Sequence, residues 1–201
     1  MKRPKIVLLS FLLIPLVMSS CTAPARSRSI TPVPAGHLYK SDYLNVHAPN
    51  SDGWHLVSSS SAGMEFARSG GEPGEGLGAQ VFWFPLPQTT GEKEFISLIK
   101  KGYEADTDSV RFSIIDSEFQ YSSQRSYPCV SAAILVNDRE AQTSPSTIER
   151  LLLQIKSLYC RHPVKQDTGF SIVYSHRGRD LYPKLNVEAK DFIDGVQVPG
   201  H

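Results

Sequence analysis

The chain has 201 residues, 40% of them hydrophobic and 20% charged, with a formal net charge of +1 at neutral pH. That length corresponds to one domain plus a tether, with enough apolar residues for a real core. So balanced a charge lacks the basic footprint that phosphate backbones and anionic headgroups attract, and neither nucleic acid nor a lipid surface is expected as an electrostatic partner.

Lys2, Arg3 and Lys5 precede an apolar run, Ile6 to Met18, and then Ser19-Ser20-Cys21. A charged start, an apolar stretch and a small-residue cleavage site make an export signal over residues 1–20. The run is shorter than the roughly 20 residues that cross a bilayer, and Ser10 and Pro15 interrupt it. Its end resembles the lipobox of bacterial lipoproteins, in which an apolar residue and two small ones precede a cysteine; Met18 stands where leucine is commonest. The resemblance implies cleavage before Cys21, a diacylglyceryl group on the Cys21 thiol and acylation of the new amine. Two or three chains anchor lastingly where one binds only marginally. Thr22 follows where an aspartate would imply retention at the inner membrane, so the implied address is the outer membrane, facing the periplasm. The alternative is an ordinary secretory signal that happens to end in cysteine.

Removal of the signal leaves 18 basic against 20 acidic residues. Residues 21–38 are polar and carry Pro24, Pro32 and Pro34, a composition that buries too little to offset ordering, and are expected to form an acylated, flexible tether. A single domain then spans 39–201. Trp54 to Ser58 and Met64 to Arg68 form an expected antiparallel hairpin. Gly70 to Gly78 holds five glycines. It lacks a following lysine and helix, and Glu72 and Glu75 would repel an anion, so it is expected to be a mobile surface loop rather than a phosphate cradle.

Gln80 to Leu86 is apolar on both faces, as a strand covered on both sides would be. Thr89-Thr90-Gly91-Glu92 forms a capping box ahead of an amphipathic helix, Glu92 to about Glu104, with Phe95, Leu98, Ile99 and Tyr103 on one face. Val110, Phe112 and Ile114 alternate, and so do Phe119 and Tyr121 after a phase change at Ile115 to Ser117 that implies a turn or bulge. Tyr127 to Val136 is the next expected strand, and the polar run Asn137 to Pro145 an expected loop.

Thr147 to Arg161 fits a helix, with Ser146 and Glu149 as a second capping box, and fits a strand equally. An exported chain keeps its cysteines oxidised, so Cys129 and Cys160 are expected to form a disulfide. A hairpin turning near Pro145 sets position 129 opposite 160 or 161, within bridging reach, and this selects the strand. Phe170 to His176 returns beside it. Pro183 to Asp194 carries Leu185, Ala189, Phe192 and Ile193 at helical spacing, with Gly195 placed for a left-handed cap.

One basic cluster stands out: Arg161, His162 and Lys165 at one end of the last hairpin, and His176, Arg177 and Arg179 at the end of its second strand. Arg161, His162, His176, Arg177 and Arg179 are candidate contacts to a partner or anion. Ser175 and His176 project to opposite faces of a strand, so they cannot serve together as nucleophile and base. Spacing suggests no metal site, no cofactor and no catalytic residue. The aromatic set Trp54, Phe66, Phe82, Trp83, Phe84 and Phe112 reads as core, with a ligand pocket as the other reading.

The expected fold class is α+β, an antiparallel sheet covered by two or so helices. The early Trp54 and Met64-Phe66 hairpin, the helix around Phe95 to Tyr103 and the closing Ala189 to Ile193 helix resemble the PsbP-like α/β/α sandwich, a likeness that transfers no functional residue. The functional expectation is a non-enzymatic, membrane-anchored envelope lipoprotein that binds or supports a protein partner. Binding of an apolar small molecule is second, and a hydrolase third.

Overall fold

A computed structural model describes residues 30–165 and 167–201. The signal, Cys21 and most of the expected tether lie outside the described residues. Strands are β1 (Thr31–Pro32), β2 (Leu38–Lys40), β3 (Asn45–His47), β4 (His55–Ser60), β5 (Gly63–Ser69) and β6 (Gly76–Pro85), followed by helix α1 (Glu92–Asp106). After it come β7 (Phe112–Ser122), β8 (Cys129–Ser144), β9 (Thr147–Arg161), β10 (Thr168–Gly178), helix α2 (Leu185–Asp194) and β11 (Val196–Gln197). Ahead of Tyr39, β1 already pairs with β4, and Val33 is part of the core.

Eight strands form one antiparallel sheet in the order β1-β4-β5-β6-β10-β9-β8-β7, and β11-β3-β2 form a small second sheet. Consecutive hairpins account for most neighbours. The exceptions are β1 beside β4, with β2 and β3 leaving for the small sheet between them, and β6 beside β10: from β6 the chain crosses through α1 to the far edge, and β7 to β10 then meander back. The expected phase change in β7 is a bulge between Ile114 and Asp116.

The two faces of the sheet are covered unequally. On one face α2 and the small sheet close a core of Phe66, Ala79, Val81, Phe170, Ile172, Tyr174 and Phe192. On the other, α1 lays Phe95 and Ile99 against Leu86 and Val130. It touches β7 and β8, leaving much of β5, β6 and β10 bare on that side.

The α+β expectation, and the PsbP-like sandwich with it, is corrected. Strand makes up 50% and helix 15% of the structure, which is a β-rich fold. Two departures account for the excess of strand. Asn137 to Ser144 is not a loop: β8 continues through it against β9. A second sheet, rather than helix alone, covers part of one face. The polar residues of the β8 extension hid its strand character, because Asp138 is buried by pairing with arginines and two register shifts break the alternation.

Cys129 and Cys160 lie directly opposite each other on β8 and β9 and form the disulfide. Strand therefore holds for 147–161, and the second capping box is unused. The first box is displaced by two residues: Glu94, not Glu92, reaches back, and its Oε2 accepts from Thr90 N at 2.6 Å and Thr90 Oγ1 at 2.7 Å. Gly195 follows α2 with φ −72°, not in the left-handed region. Space explains it better, since a Cβ there would lie 3.2 Å from that of His47.

A polar network locks α2 to the sheet. Glu188 Oε2 accepts from the Tyr174 hydroxyl at 2.6 Å and faces Arg68 at 3.3 Å, while Glu188 Oε1 accepts from Tyr182 at 2.9 Å. Burial, reinforced by the Glu188 carboxylate, pushes the Tyr174 phenol far up. Among the described residues no helix is long and apolar enough to cross a membrane.

Candidate binding site: an apolar cavity beside α1

The basic residues singled out in the sequence do not converge; they occupy opposite ends of β9 and β10, where each grips part of its own chain. Arg161 donates from Nη2 to the Pro87 carbonyl at 2.7 Å and stacks over Phe95 at 5.7 Å, fixing the link from β6 to α1. His162 is buried, and its Nδ1 accepts from the amides of Val164 and Lys165 at 3.2 and 2.9 Å. Burial pushes its pKa down, helped by the charge of Lys165, in keeping with Nδ1 as an acceptor.

At the other end, His176, Arg177 and Arg179 all hold the glycine-rich segment. His176 Nε2 is 3.1 Å from Glu75 Oε1, and its ring stacks on Tyr182 with centroids 4.9 Å apart. Arg177 Nε donates to the Gly74 carbonyl at 3.0 Å. Arg179 pairs with Glu149 at 2.6 Å and with Glu72 at 3.9 Å. Within the loop, Glu75 Oε2 accepts from the amides of Gly71 and Glu72 at 2.8 and 3.1 Å. The hydrogen bond with His176, followed by those of the loop amides, holds the Glu75 carboxyl below its usual range. The anion in this glycine-rich turn is thus the protein's own side chain. What the sequence suggested as a mobile loop is pinned to β10, and Gly178 is required beside it because a Cβ would sit 2.6 Å from His176 Cε1.

No serine hydroxyl or second acid accompanies either buried histidine in these contacts. Among the described residues no cluster of three or more histidine, cysteine or acidic side chains is placed to hold a metal.

Asp138 and Arg111 escaped the sequence reading. Asp138 is 1% exposed; it accepts from Arg111 Nε and Nη2, each at 2.8 Å, and lies 3.7 Å from Arg177 Nη1. Burial raises its pKa, but the Arg111 and Glu140 hydrogen bonds and both guanidinium charges outweigh it, so the net shift is downward. A depressed folded pKa contributes stability above the unfolded value of about 3.9, lost as pH falls through the folded one. Asp138→Asn is expected to cost about 2 kcal/mol at neutral pH, the arginines being partly exposed, and to flatten the acid limb below about pH 4. Urea unfolding of both proteins across that range measures the difference.

The aromatic set divides. Trp54 and Phe66 are core, and Trp83 packs against it. Phe82 and Phe84 instead face a cavity of about 470 Å³ with Leu98, Ile99, Tyr103 and Tyr159. Its existence follows from the uneven cover: α1 leans toward β7 and β8, and Gly102 presents no side chain, with nothing within 4 Å of where a Cβ would be. Burial raises the pKa of both Tyr103 and Tyr159, so the two phenols stay neutral. Asp106 is the one carboxylate among the residues lining it. The volume and lining fit a small apolar ligand or part of an acyl chain. A second cavity, of about 580 Å³ beside α2, is largely polar, and its charged residues include Lys190, paired with Asp194, and Arg125, spent on the carbonyls of Ile193 and Val196.

Fold and cavity together define a disulfide-braced antiparallel β protein with an apolar recess on its less covered face. No protein-family model matches the chain, and no curated protein matches it.

Proposed function

We propose that this chain is a non-enzymatic envelope lipoprotein whose folded domain binds an apolar small molecule, held by acylated Cys21 at the periplasmic side of the outer membrane. The sequence by itself favours a protein partner and leaves the apolar ligand second; the cavity beside α1 reverses that order. That cavity is the observation carrying the proposal, because a domain that only supported a partner would gain nothing from an aromatic-lined void. His162, His176, Arg161 and Arg177 each hold a backbone amide, a carbonyl or a carboxylate within the fold.

Gly102→Leu separates binding from folding. Glycine in a helix interior costs about 1 kcal/mol, so leucine should leave the melting temperature unchanged or raise it while occupying the recess. Titration of the full chain with N-phenyl-1-naphthylamine, a neutral fluorescent probe, should saturate with wild type and be weakened about tenfold or more in the variant, a loss of about 1.4 kcal/mol. Equal binding by the two proteins, or none by wild type, rejects the ligand. The anchor has its own test: intact-mass analysis should show loss of residues 1–20 and added acyl mass on Cys21, and an unmodified mature chain rejects lipidation.

A further inference from the structure

The recess beside α1 has one ionisable group that is not a phenol. Asp106 is among its lining residues, and no lysine, arginine or histidine is. Ile99, Gly102, Tyr103 and Asp106 follow one another at helical spacing, so the stripe of α1 that supplies the wall also brings the carboxylate to it. The lysines of α1 lie elsewhere. Lys93, Lys100 and Lys101 are roughly 120–140° round the helix from Asp106, and Lys100 faces Glu104 at 3.9 Å.

The Asp106 side chain is exposed and makes no hydrogen bond or salt bridge among the described residues. Its charge still reaches the recess. The Tyr159 phenol, raised first by burial, is raised further by the negative charges of Tyr103 and Asp106. The end of α1 adds to this potential: its last turn holds no basic residue, and the terminal carbonyls of a helix carry partial negative charge. Thr107 satisfies the Tyr103 carbonyl, from Oγ1 at 2.7 Å and from its amide at 3.1 Å. Phe82, Phe84, Tyr103 and Tyr159 complete the setting, since aromatic ring faces attract a cation that has shed part of its water. An anionic head would meet the carboxylate and the helix end with no lining cation to offset them.

We infer that the recess selects apolar molecules carrying one ammonium group, the apolar part lying against Phe82, Phe84 and Tyr159 and the ammonium beside Asp106. This rests on the recess being the binding site proposed above, and names the chemical class of its ligand.

Displacement of N-phenyl-1-naphthylamine from the full chain by decylammonium, 1-decanol and decanoate, each below its micellar concentration, tests it, because the three share one tail and differ in the head. Decylammonium should bind about fivefold more tightly than decanol, as an ion pair at a partly exposed site allows, and decanoate more weakly than either. Asp106→Asn should remove that advantage of decylammonium over decanol. Asp116→Asn, an equal change of charge beside Leu185 of α2, should keep it. Removing a carboxylate from a helix C-terminus does not weaken the helix, so the Asp106 variant is expected to fold. Equal affinity for the three heads, with the tails still bound, overturns the ammonium and leaves the apolar ligand standing. An ammonium preference that survives Asp106→Asn overturns the assignment to Asp106, and failure of the probe and of all three tails to bind rejects the recess as a site and this inference with it.

Discussion

Replacing both Cys129 and Cys160 by alanine should lower the stability of this domain by about 3–4 kcal/mol in the chain-entropy model of cross-linking. The cysteines are separated by 31 in sequence, face each other across the β8 and β9 pair, and are fully buried. Without the bridge, the unfolded chain regains the freedom of that loop, and the folded one loses two sulfurs from the core beneath α2 and the small sheet. For a domain of this size the melting temperature should fall by roughly 10 °C. Guanidinium unfolding of the double variant measures it, and wild type unfolded in reductant should match. A difference below about 1 kcal/mol would mean that the bridge adds little to a sheet already registered by its hydrogen bonds.

Trp54→Ala should cost a similar amount, about 3–5 kcal/mol, the range for truncating a buried aromatic. The indole is 1% exposed and lies 5.8 Å from Tyr174. Its Nε1 donates to Ser51 Oγ at 3.1 Å, and the Arg68 guanidinium sits 5.2 Å from the ring centroid while donating to the same hydroxyl at 2.5 Å. Arg68 in turn holds Glu188, so the truncation should also loosen the hold of α2. The variant that remains folded at low temperature should bind the neutral probe as wild type does, because Trp54 faces the core and not the recess. Thermal unfolding and probe titration of one preparation give both results, and a loss of binding without a loss of stability would put Trp54 in the site.

Periodicity located β4, β5, β6, α1, β10 and α2, since each has one clear apolar pattern. The ambiguous segment 147–161 became legible through the cysteines, because a disulfide demands a register that only a strand provides. Segments whose polar groups are satisfied by distant charges were not legible. Asn137 to Ser144 looks like a loop until Arg111 and Arg177 neutralise Asp138 and let the strand continue. The glycine-rich stretch looked mobile for the same reason: Glu75 seemed to repel an anion when it is itself the anion that the loop holds. The cavity left two faint signs in the sequence: the aromatic set that includes Phe82 and Phe84, whose second reading is a ligand pocket, and Gly102 on the apolar side of a helix, where a larger residue would cost nothing in the helix itself. Sheet order was out of reach, because the β6 and β10 pairing joins segments separated by a helix and three strands.

The recess beside α1 is where the functional reading stands or falls, and photolabelling tests it most directly. A diazirine-bearing apolar probe, irradiated with the full chain and mapped by peptide mass spectrometry, should label peptides containing Phe82 to Pro87, Leu98 to Tyr103 and Tyr159, and excess unlabelled ligand should suppress it. Label confined to the exposed side chains Val110, Ile114 and Ile115 of the β7 edge, or to α2, with the recess untouched, would contradict the account.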